Sequence, residues 1–128
     1  MVKRKRTTPE NIQRLEPNEI FCFGSNLRGV HGKGAALQAY RDFGAEYGVG
    51  EGLTGQCYAL PTLGRNLEQL TGICLASVIS KFNATVREHP ELQFLLTKVG
   101  CGLAGYDEEY MKSFFTESPS NVIKPEGW

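Results

Sequence analysis

Glycine and other small residues concentrate at three points of the chain, and each point follows an apolar run. The three segments span residues 24–34, 61–65 and 100–106. Because glycine has no side chain, backbone N–H groups in such segments can close on an oxyanion, and a following helix adds its dipole. The pattern therefore favours binding of a phosphate or diphosphate by the backbone. A tight turn with no ligand is the alternative at each single point.

Several side chains in these segments could add chemistry to the backbone. Asn26 could orient a water molecule or a ribose hydroxyl, or it could serve as a turn or cap residue. His31 titrates near neutral pH and could exchange a proton, or it could pack or form a hydrogen bond. Lys33 could contact a phosphate as a point charge, or it could point to solvent. Cys101 could be a nucleophile if His31 lay near it, or it could fill a buried loop.

The elements that must position these segments alternate between strands and helices. Apolar runs predict strands at residues 20–23, 57–62, 92–99 and 121–123. Apolar residues at three- and four-residue spacing predict helices at residues 34–43, 67–88 and 108–115. This alternation predicts an α/β fold with a compact, mostly parallel sheet between two helical layers. Ligands bind beyond the carboxyl ends of such strands, which is where the glycine segments fall.

The first 18 residues differ in composition from the rest of the chain. Residues 3–6 are all basic, which predicts a solvated arm or an electrostatic contact with nucleic acid or protein. Thr8 and Pro9 predict the start of a short helix that ends before Pro17. We therefore expect an arm and a helix in residues 1–18 and one domain in residues 19–128. A nucleic-acid-binding module that uses the arm is one alternative function.

Composition excludes several classes of protein. The chain has 14 basic and 14 acidic residues, so its overall charge does not favour a nucleic-acid or membrane partner. No apolar stretch is long enough to span a bilayer, and no secretory signal follows the basic N-terminus. The four cysteines are widely separated in apolar surroundings, which predicts reduced, buried thiols and no zinc site. We expect a cytoplasmic protein that holds no metal and no cofactor.

Common phosphate-binding motifs do not fit the first glycine segment. The P-loop pattern G-x-x-x-x-G-K-[ST] is longer than residues 29–34, which also lack its hydroxyl residue. The dinucleotide pattern G-x-G-x-x-G is absent after the first predicted strand. Residues 29–32 satisfy the G-x-x-G of an RNA-binding KH loop, but that loop joins two helices whereas this segment follows a strand.

The order of these segments resembles that of the macrodomains, a family that binds ADP-ribose. Asn26 followed by His-Gly-Lys-Gly-Ala-Ala at residues 31–36 is similar to the asparagine and glycine-rich first loop of the family. Residues 94–103 resemble the strand and second phosphate loop of the subgroup that contains the terminal ADP-ribose glycohydrolase. The similarity covers residues 20–123. The whole chain also resembles small macrodomain-like proteins of bacteria and phages.

The resemblance implies a pocket for ADP-ribose or a related NAD-derived nucleotide, held by two phosphate loops. The first loop would hold one phosphate and line the distal ribose, and the second would wrap the other phosphate, with Tyr106 stacking near that ribose. The ligand would be a free nucleotide or an ADP-ribosyl group on a macromolecule. The implied ligand-binding residues are Gly24, Ser25, Asn26, Gly32, Lys33, Gly34, Ala35, Pro61, Thr62, Gly100, Cys101, Gly102, Leu103, Ala104, Gly105 and Tyr106.

The chain departs from the glycohydrolase subgroup at the catalytic positions. The lysine and aspartate that the subgroup uses are replaced here by Leu63 and Ala104, which removes the nucleophile and its acid–base partner. An alternative function is a hydrolase of ADP-ribosyl linkages, or of a cyclic ADP-ribose-type signal, with Asn26 and His31 as catalytic residues. For the acidic residue that holds adenine in many macrodomains, Glu19 is the nearest candidate.

Overall fold

A computed structural model describes residues 7–128, which form six strands and three helices. The strands are β1 (Thr7–Thr8), β2 (Glu19–Asn26), β3 (Gly52–Thr54), β4 (Cys57–Leu63), β5 (Gln93–Leu96) and β6 (Val122–Pro125). The helices are α1 (Gly34–Asp42), α2 (Gly72–Glu88) and α3 (Glu108–Ser113). All strands belong to one sheet in the order β1-β6-β5-β2-β4-β3, and only the β3–β4 pair is antiparallel. The predicted α/β class with a mostly parallel sheet is confirmed.

Helices cover both faces of the sheet, so the central strands are buried on both sides. In β2, Phe21 and Phe23 pack with α1, whereas Ile20 and Cys22 pack with α2 and α3. Successive side chains of a strand point to opposite faces, and a strand with two covered faces therefore reads as an unbroken apolar run. The result is three layers, with α1 on one face and α2 and α3 on the other.

The ring of Phe82 lies at the centre of the core beneath α2. Its centroid is 4.9 Å from that of Tyr58, 6.0 Å from that of Phe94 and 6.2 Å from that of Phe115, each in an edge-to-face arrangement. Such contacts add to the free energy gained by burying the ring. One side chain of α2 therefore contacts rings of β4, of β5 and of the segment after α3.

The chain leaves β2 first toward one side of the sheet and later returns to the other side. It passes through α1 and β3 to β4, and then through α2 to β5, which lies on the opposite side of β2. The carboxyl ends of β5, β2 and β4 meet at this reversal. In open α/β sheets ligands bind in the crevice outside such a point. The topology thus fixes where a site can form.

The N-terminal segment differs from the prediction. Residues 9–18 contain no helix, and β1 joins the sheet beside β6. Ile12 belongs to the core on the α1 face, and its carbonyl oxygen accepts a hydrogen bond from Gln38 Nε2 at 2.6 Å. These tertiary contacts outweigh the weak local signal of Thr8 and Pro9. Residues 7–18 are therefore part of the fold, and the basic residues 3–6 lie outside the described residues.

α2 begins at Gly72 rather than at residue 67. Leu67 lies in a loop with a positive φ of 64°, and the hydroxyl of Thr71 caps the helix by accepting a hydrogen bond from the Cys74 N–H at 3.3 Å. Cys74 is exposed, contrary to prediction. The buried face of α2 consists of Leu75, Val78, Ile79, Phe82, Asn83 and Val86.

Smaller differences from the predictions concern the exposed face of α3 and the short strand β3. The apolar spacing of residues 108–115 predicts a buried face, on which Met111 and Phe115 are buried, whereas Tyr110 is exposed. The sequence pattern does not predict β3, because a three-residue strand among glycines carries no apolar pattern. No helix within residues 7–128 is long and apolar enough to cross a membrane.

Replacing Phe82 tests the core of the α2 face. Phe82→Ala is expected to lower the free energy of unfolding by about 3–5 kcal/mol, measured by urea denaturation, because Phe82 is fully buried. Ile73→Ala is the control on the same helix, since Ile73 is 85% exposed and should change stability by less than about 0.5 kcal/mol. Equal losses in the two variants would contradict this packing.

Candidate functional site

A cavity of about 840 Å³ opens at the carboxyl ends of β5, β2 and β4. Cavities that bind small molecules have volumes of about 300–1,000 Å³. Residues of the first glycine loop (24–34) and of the second glycine loop (100–106) both line it. The structure therefore brings the two predicted loops to one space. Of the sixteen residues implied by the resemblance, those that line the cavity are Gly24, Ser25, Asn26, Gly32, Lys33, Gly34, Ala35, Thr62, Gly100, Gly102, Leu103 and Ala104.

The first glycine loop ends at the N-terminus of α1, which is open to the cavity. The first N–H groups of a helix have no acceptor within the helix and carry the positive end of its dipole. No side chain caps them here, and the first turn contains no acidic residue. The residues of this turn that line the cavity are Lys33, Gly34, Ala35 and Ala36. An anion at this point would accept hydrogen bonds that the fold itself leaves unmade.

The second glycine loop also presents free backbone donors. The N–H groups of Gly102, Leu103 and Ala104 donate to no backbone acceptor among residues 7–128. The shape of the loop is fixed on either side of them, because the Tyr106 N–H donates to the Gly100 oxygen at 2.9 Å and the Gly105 N–H to the Gly102 oxygen at 3.0 Å. Consecutive free amides of this kind form an anion-binding concavity.

Gly32 and Gly102 are glycines that the fold itself does not require. Neither has a positive φ, and a Cβ atom on either would meet no other atom within 4 Å. Glycine has a cost in conformational entropy relative to alanine. Both residues line the cavity, one from each loop. Neither backbone conformation nor packing therefore requires glycine at these two positions. The missing side chains leave the backbone accessible from the cavity.

Gly24 and Ser25, by contrast, hold the floor of the cavity together. A Cβ atom on Gly24 would lie 3.2 Å from the Gly100 nitrogen, so the end of β2 and the second glycine loop are in close contact. The buried Ser25 hydroxyl donates to the Gly50 oxygen at 2.5 Å. The first contact fixes the two loops relative to each other, and the second joins the first glycine loop to the segment before β3.

The charged side chains of the cavity are mostly basic. Arg28, Lys33, Lys98 and Glu10 line it. Lys98 Nζ lies 3.3 Å from Glu108 Oε2, whereas Arg28 and Lys33 form no ion pair with any of residues 7–128. Two cations without a paired carboxylate favour an anionic ligand.

Of the two roles open to His31, proton exchange and packing, the structure places the side chain where it packs. It is fully buried and does not line the cavity. Its ring centroid lies 5.3 Å from that of Phe23 and 5.5 Å from that of Tyr47, and its Nε2 lies 3.1 Å from the Glu46 oxygen. The imidazole therefore cannot reach a ligand in the cavity.

Asn26 lines the cavity but uses its side chain to close the first glycine loop. Its Nδ2 donates to the Val30 oxygen at 3.0 Å, and its Oδ1 accepts from the Val30 N–H at 3.1 Å. Gly29 between them has a φ of 73°, and a side chain there would clash with the backbone of Gly48. One N–H of the amide remains for a ligand, so Asn26 is a loop residue that could also make a contact.

Tyr106 anchors the second glycine loop instead of lining the cavity. Its Oη lies 2.8 Å from the carbonyl oxygens of both Thr62 and Leu70 and shares its one proton between them. Burial raises the pKa of Tyr106, which keeps the hydroxyl protonated as a donor. The expected stacking of Tyr106 on a ribose is therefore replaced by a structural role. Pro61, Cys101 and Gly105 also do not line the cavity.

The cysteine thiols are poorly suited to nucleophilic chemistry. Burial raises the pKa of Cys57 to about 12 and the pKa of Cys22 well above its ordinary value. Burial and, to a lesser degree, the Glu108 carboxylate raise the pKa of Cys101. Its thiol is therefore protonated at neutral pH, and no histidine lines the cavity to activate it.

Leu63 and Ala104, which the resemblance places at the catalytic pair of the glycohydrolase subgroup, both line the cavity. Glu19, the candidate for holding adenine, is buried at the amino end of β2, at the opposite edge of the sheet. Glu10 lines the cavity instead. No sequence pattern identifies Glu10, because only the path of residues 7–18 beside α1 brings it there.

Among residues 7–128, no group of three or more histidine, cysteine or acidic side chains could hold a metal ion.

In comparisons with protein families, curated proteins and solved structures, the chain matches none of them. The resemblance to macrodomains therefore rests on the sequence motifs alone.

Alkylation of the cysteines at pH 7.5 tests their environments. Cys74 is exposed and should be modified first by iodoacetamide, while the buried Cys22 and Cys57 should be modified only on unfolding. Cys101 should be slower than Cys74, because its raised pKa leaves little thiolate. Peptide mass spectrometry over time would measure the order. Faster modification of Cys101 than of Cys74 would contradict a protonated, partly buried thiol.

Proposed function

We propose that the protein binds ADP-ribose or a related NAD-derived nucleotide, with the diphosphate between the two glycine loops. The observation that carries the proposal is the pair Gly32 and Gly102. Both line one cavity, and neither the backbone conformation nor the packing accounts for the missing side chain. A ligand that must approach the backbone closely accounts for both.

The chemistry between the loops suits two linked phosphates. The uncapped N-terminus of α1 supplies N–H donors and a partial positive charge on one side. The N–H groups of Gly102, Leu103 and Ala104 supply donors on the other. Lys33 and Arg28 add formal positive charge at the rim. A single phosphate would satisfy one set of donors, whereas a diphosphate would satisfy both.

The end of the cavity beside α1 suits a nucleobase. Ile12, Phe21 and Ala36 provide an apolar surface there, and Gln38 and Glu10 provide polar groups at its edge. Sites of this kind combine an apolar lining with a few polar groups that fix orientation. The Glu10 carboxylate would accept a hydrogen bond from an exocyclic amine such as that of adenine.

We do not propose hydrolysis by Asn26 and His31. The imidazole of His31 is buried outside the cavity, and the Asn26 amide closes its own loop. Leu63 and Ala104 offer no acid, base or nucleophile in the cavity. Binding of the free nucleotide, or of an ADP-ribosyl group on a macromolecule, requires none of these groups. The basic arm that a nucleic-acid module would use lies outside the described residues.

Calorimetric titration with ADP-ribose tests this proposal. The full chain is expected to bind it, and Gly102→Glu is expected to weaken binding at least tenfold, about 1.4 kcal/mol, because a carboxylate would face the phosphates. Gly32→Glu should act in the same direction from the other loop. Ser77→Glu is the matched control, since Ser77 is exposed on α2 and does not line the cavity.

Two results would contradict the proposal. One is the absence of heat up to millimolar ADP-ribose with a folded protein. The other is an equal loss of affinity in Gly102→Glu and Ser77→Glu, which would assign the effect to overall charge rather than to the cavity.

A further inference from the structure

We infer that the end of the cavity formed by Leu63, Leu67 and Leu103 is a subsite for an uncharged planar ring. A reduced nicotinamide dinucleotide would then bind better than ADP-ribose. This inference rests on the proposed function and adds the chemical class of the group that lies beyond the second phosphate.

The three leucines belong to one part of the cavity. Leu63 ends β4 and is paired with Gln69, which closes the loop that carries Leu67. Gln69 Nε2 donates to the Ala104 oxygen at 2.7 Å and so joins this loop to the second glycine loop beside Leu103. All three leucines line the cavity. Leu63 and Leu67 lie at and after the end of β4, and the Gln69–Ala104 hydrogen bond brings the loop of Leu103 beside them. Glu10 and Ile12 follow β1, which lies beyond β5 and β6.

Leu67 has a backbone conformation that leucine rarely adopts. Its φ is 64°, the one positive value among the non-glycine residues in 7–128. Its side chain is nevertheless 54% exposed, so burial in the protein does not compensate for the strain. Glycine would adopt this conformation without strain. Strained backbone of this kind occurs at ligand sites.

Leu103 gives an independent sign that an apolar group is bound here. Its side chain is 80% exposed although it lines the cavity from the opposite loop. A single exposed leucine is ordinary, but two on facing loops at one end of a cavity form an apolar surface that water covers in the free protein. A ligand ring between Leu67 and Leu103 would remove this surface from water.

The lining of this end disfavours a terminal sugar and favours a ring. Both ligands have a ribose after the second phosphate and differ at its anomeric carbon, which bears a hydroxyl in ADP-ribose and the ring in the reduced dinucleotide. Burying that hydroxyl against leucine side chains without a partner is unfavourable. The side chains of Leu63, Leu67, Leu103 and Ala104 offer no counter-charge to a cationic ring, so the reduced, uncharged nicotinamide fits best. The volume of about 840 Å³ lies near the upper end of the range for ligand sites, about 300–1,000 Å³, and suits an intact dinucleotide.

Calorimetry with ADP, ADP-ribose and the reduced dinucleotide tests the subsite in the full chain. The reduced dinucleotide should bind about fivefold or more tightly than ADP-ribose, because its ring buries apolar surface. Leu67→Gly and Leu67→Asn, two residues that accept a positive φ, should each remove this advantage and leave the affinity for ADP unchanged. Leu67→Gly should not lower the melting temperature, since glycine accepts the positive φ. Leu53→Asn is the control, because Leu53 is exposed on β3, outside the cavity.

The possible outcomes separate this inference from the proposed function. Equal affinities for ADP-ribose and the reduced dinucleotide would overturn the subsite and leave nucleotide binding intact. Leucine variants that weaken ADP as much as the dinucleotide would also overturn it, because ADP does not reach this end. Failure of all three nucleotides to bind would overturn the proposed function and the subsite together.

Discussion

Backbone N–H groups without an acceptor are the feature on which the account of this site depends. The fold leaves such groups at the N-terminus of α1 and at Gly102, Leu103 and Ala104 in the second glycine loop. Unpaired donors are tolerated where water or a ligand can reach them, and both sets line one cavity. The position of the cavity follows from the sheet, because β4 and β5 lie on opposite sides of β2 and their carboxyl ends meet beside it.

Contacts beneath the cavity fix the positions of the two glycine loops, although glycine-rich backbone has high conformational freedom. The close approach of Gly24 to Gly100 joins β2 to the second glycine loop. The Tyr106 hydroxyl joins that loop to the carbonyl oxygens of Thr62 and Leu70, and the Asn26 amide closes the first loop on Val30. Asn26 and Tyr106, which the sequence predicts as ligand-binding residues, thus hold the backbone of the two loops in place. The backbone, rather than these side chains, is left free to face the cavity.

The sequence predicts the layers of this fold well, and it predicts the site only in part. Buried strands such as β2 appear as unbroken apolar runs, and the two glycine loops follow from their positions after strands. Local sequence patterns do not reveal whether a loop side chain faces the cavity or the core. The sequence therefore leaves both a packing and a proton-exchange role open for His31, and it misses Glu10 because a tertiary path brings that residue to the cavity. The loop before α2 is mistaken for helix, because Leu67 and Leu70 happen to have helical spacing.

Amide chemical shifts during a titration with inorganic pyrophosphate measure the central claim most directly. Nitrogen-15 labelled protein would report Gly32, Lys33 and Gly34 separately from Gly102, Leu103 and Ala104. Both groups of amide signals should shift and saturate with one common dissociation constant, because one anion bridges the two loops. Shifts confined to one loop, or two different dissociation constants, would contradict a shared site.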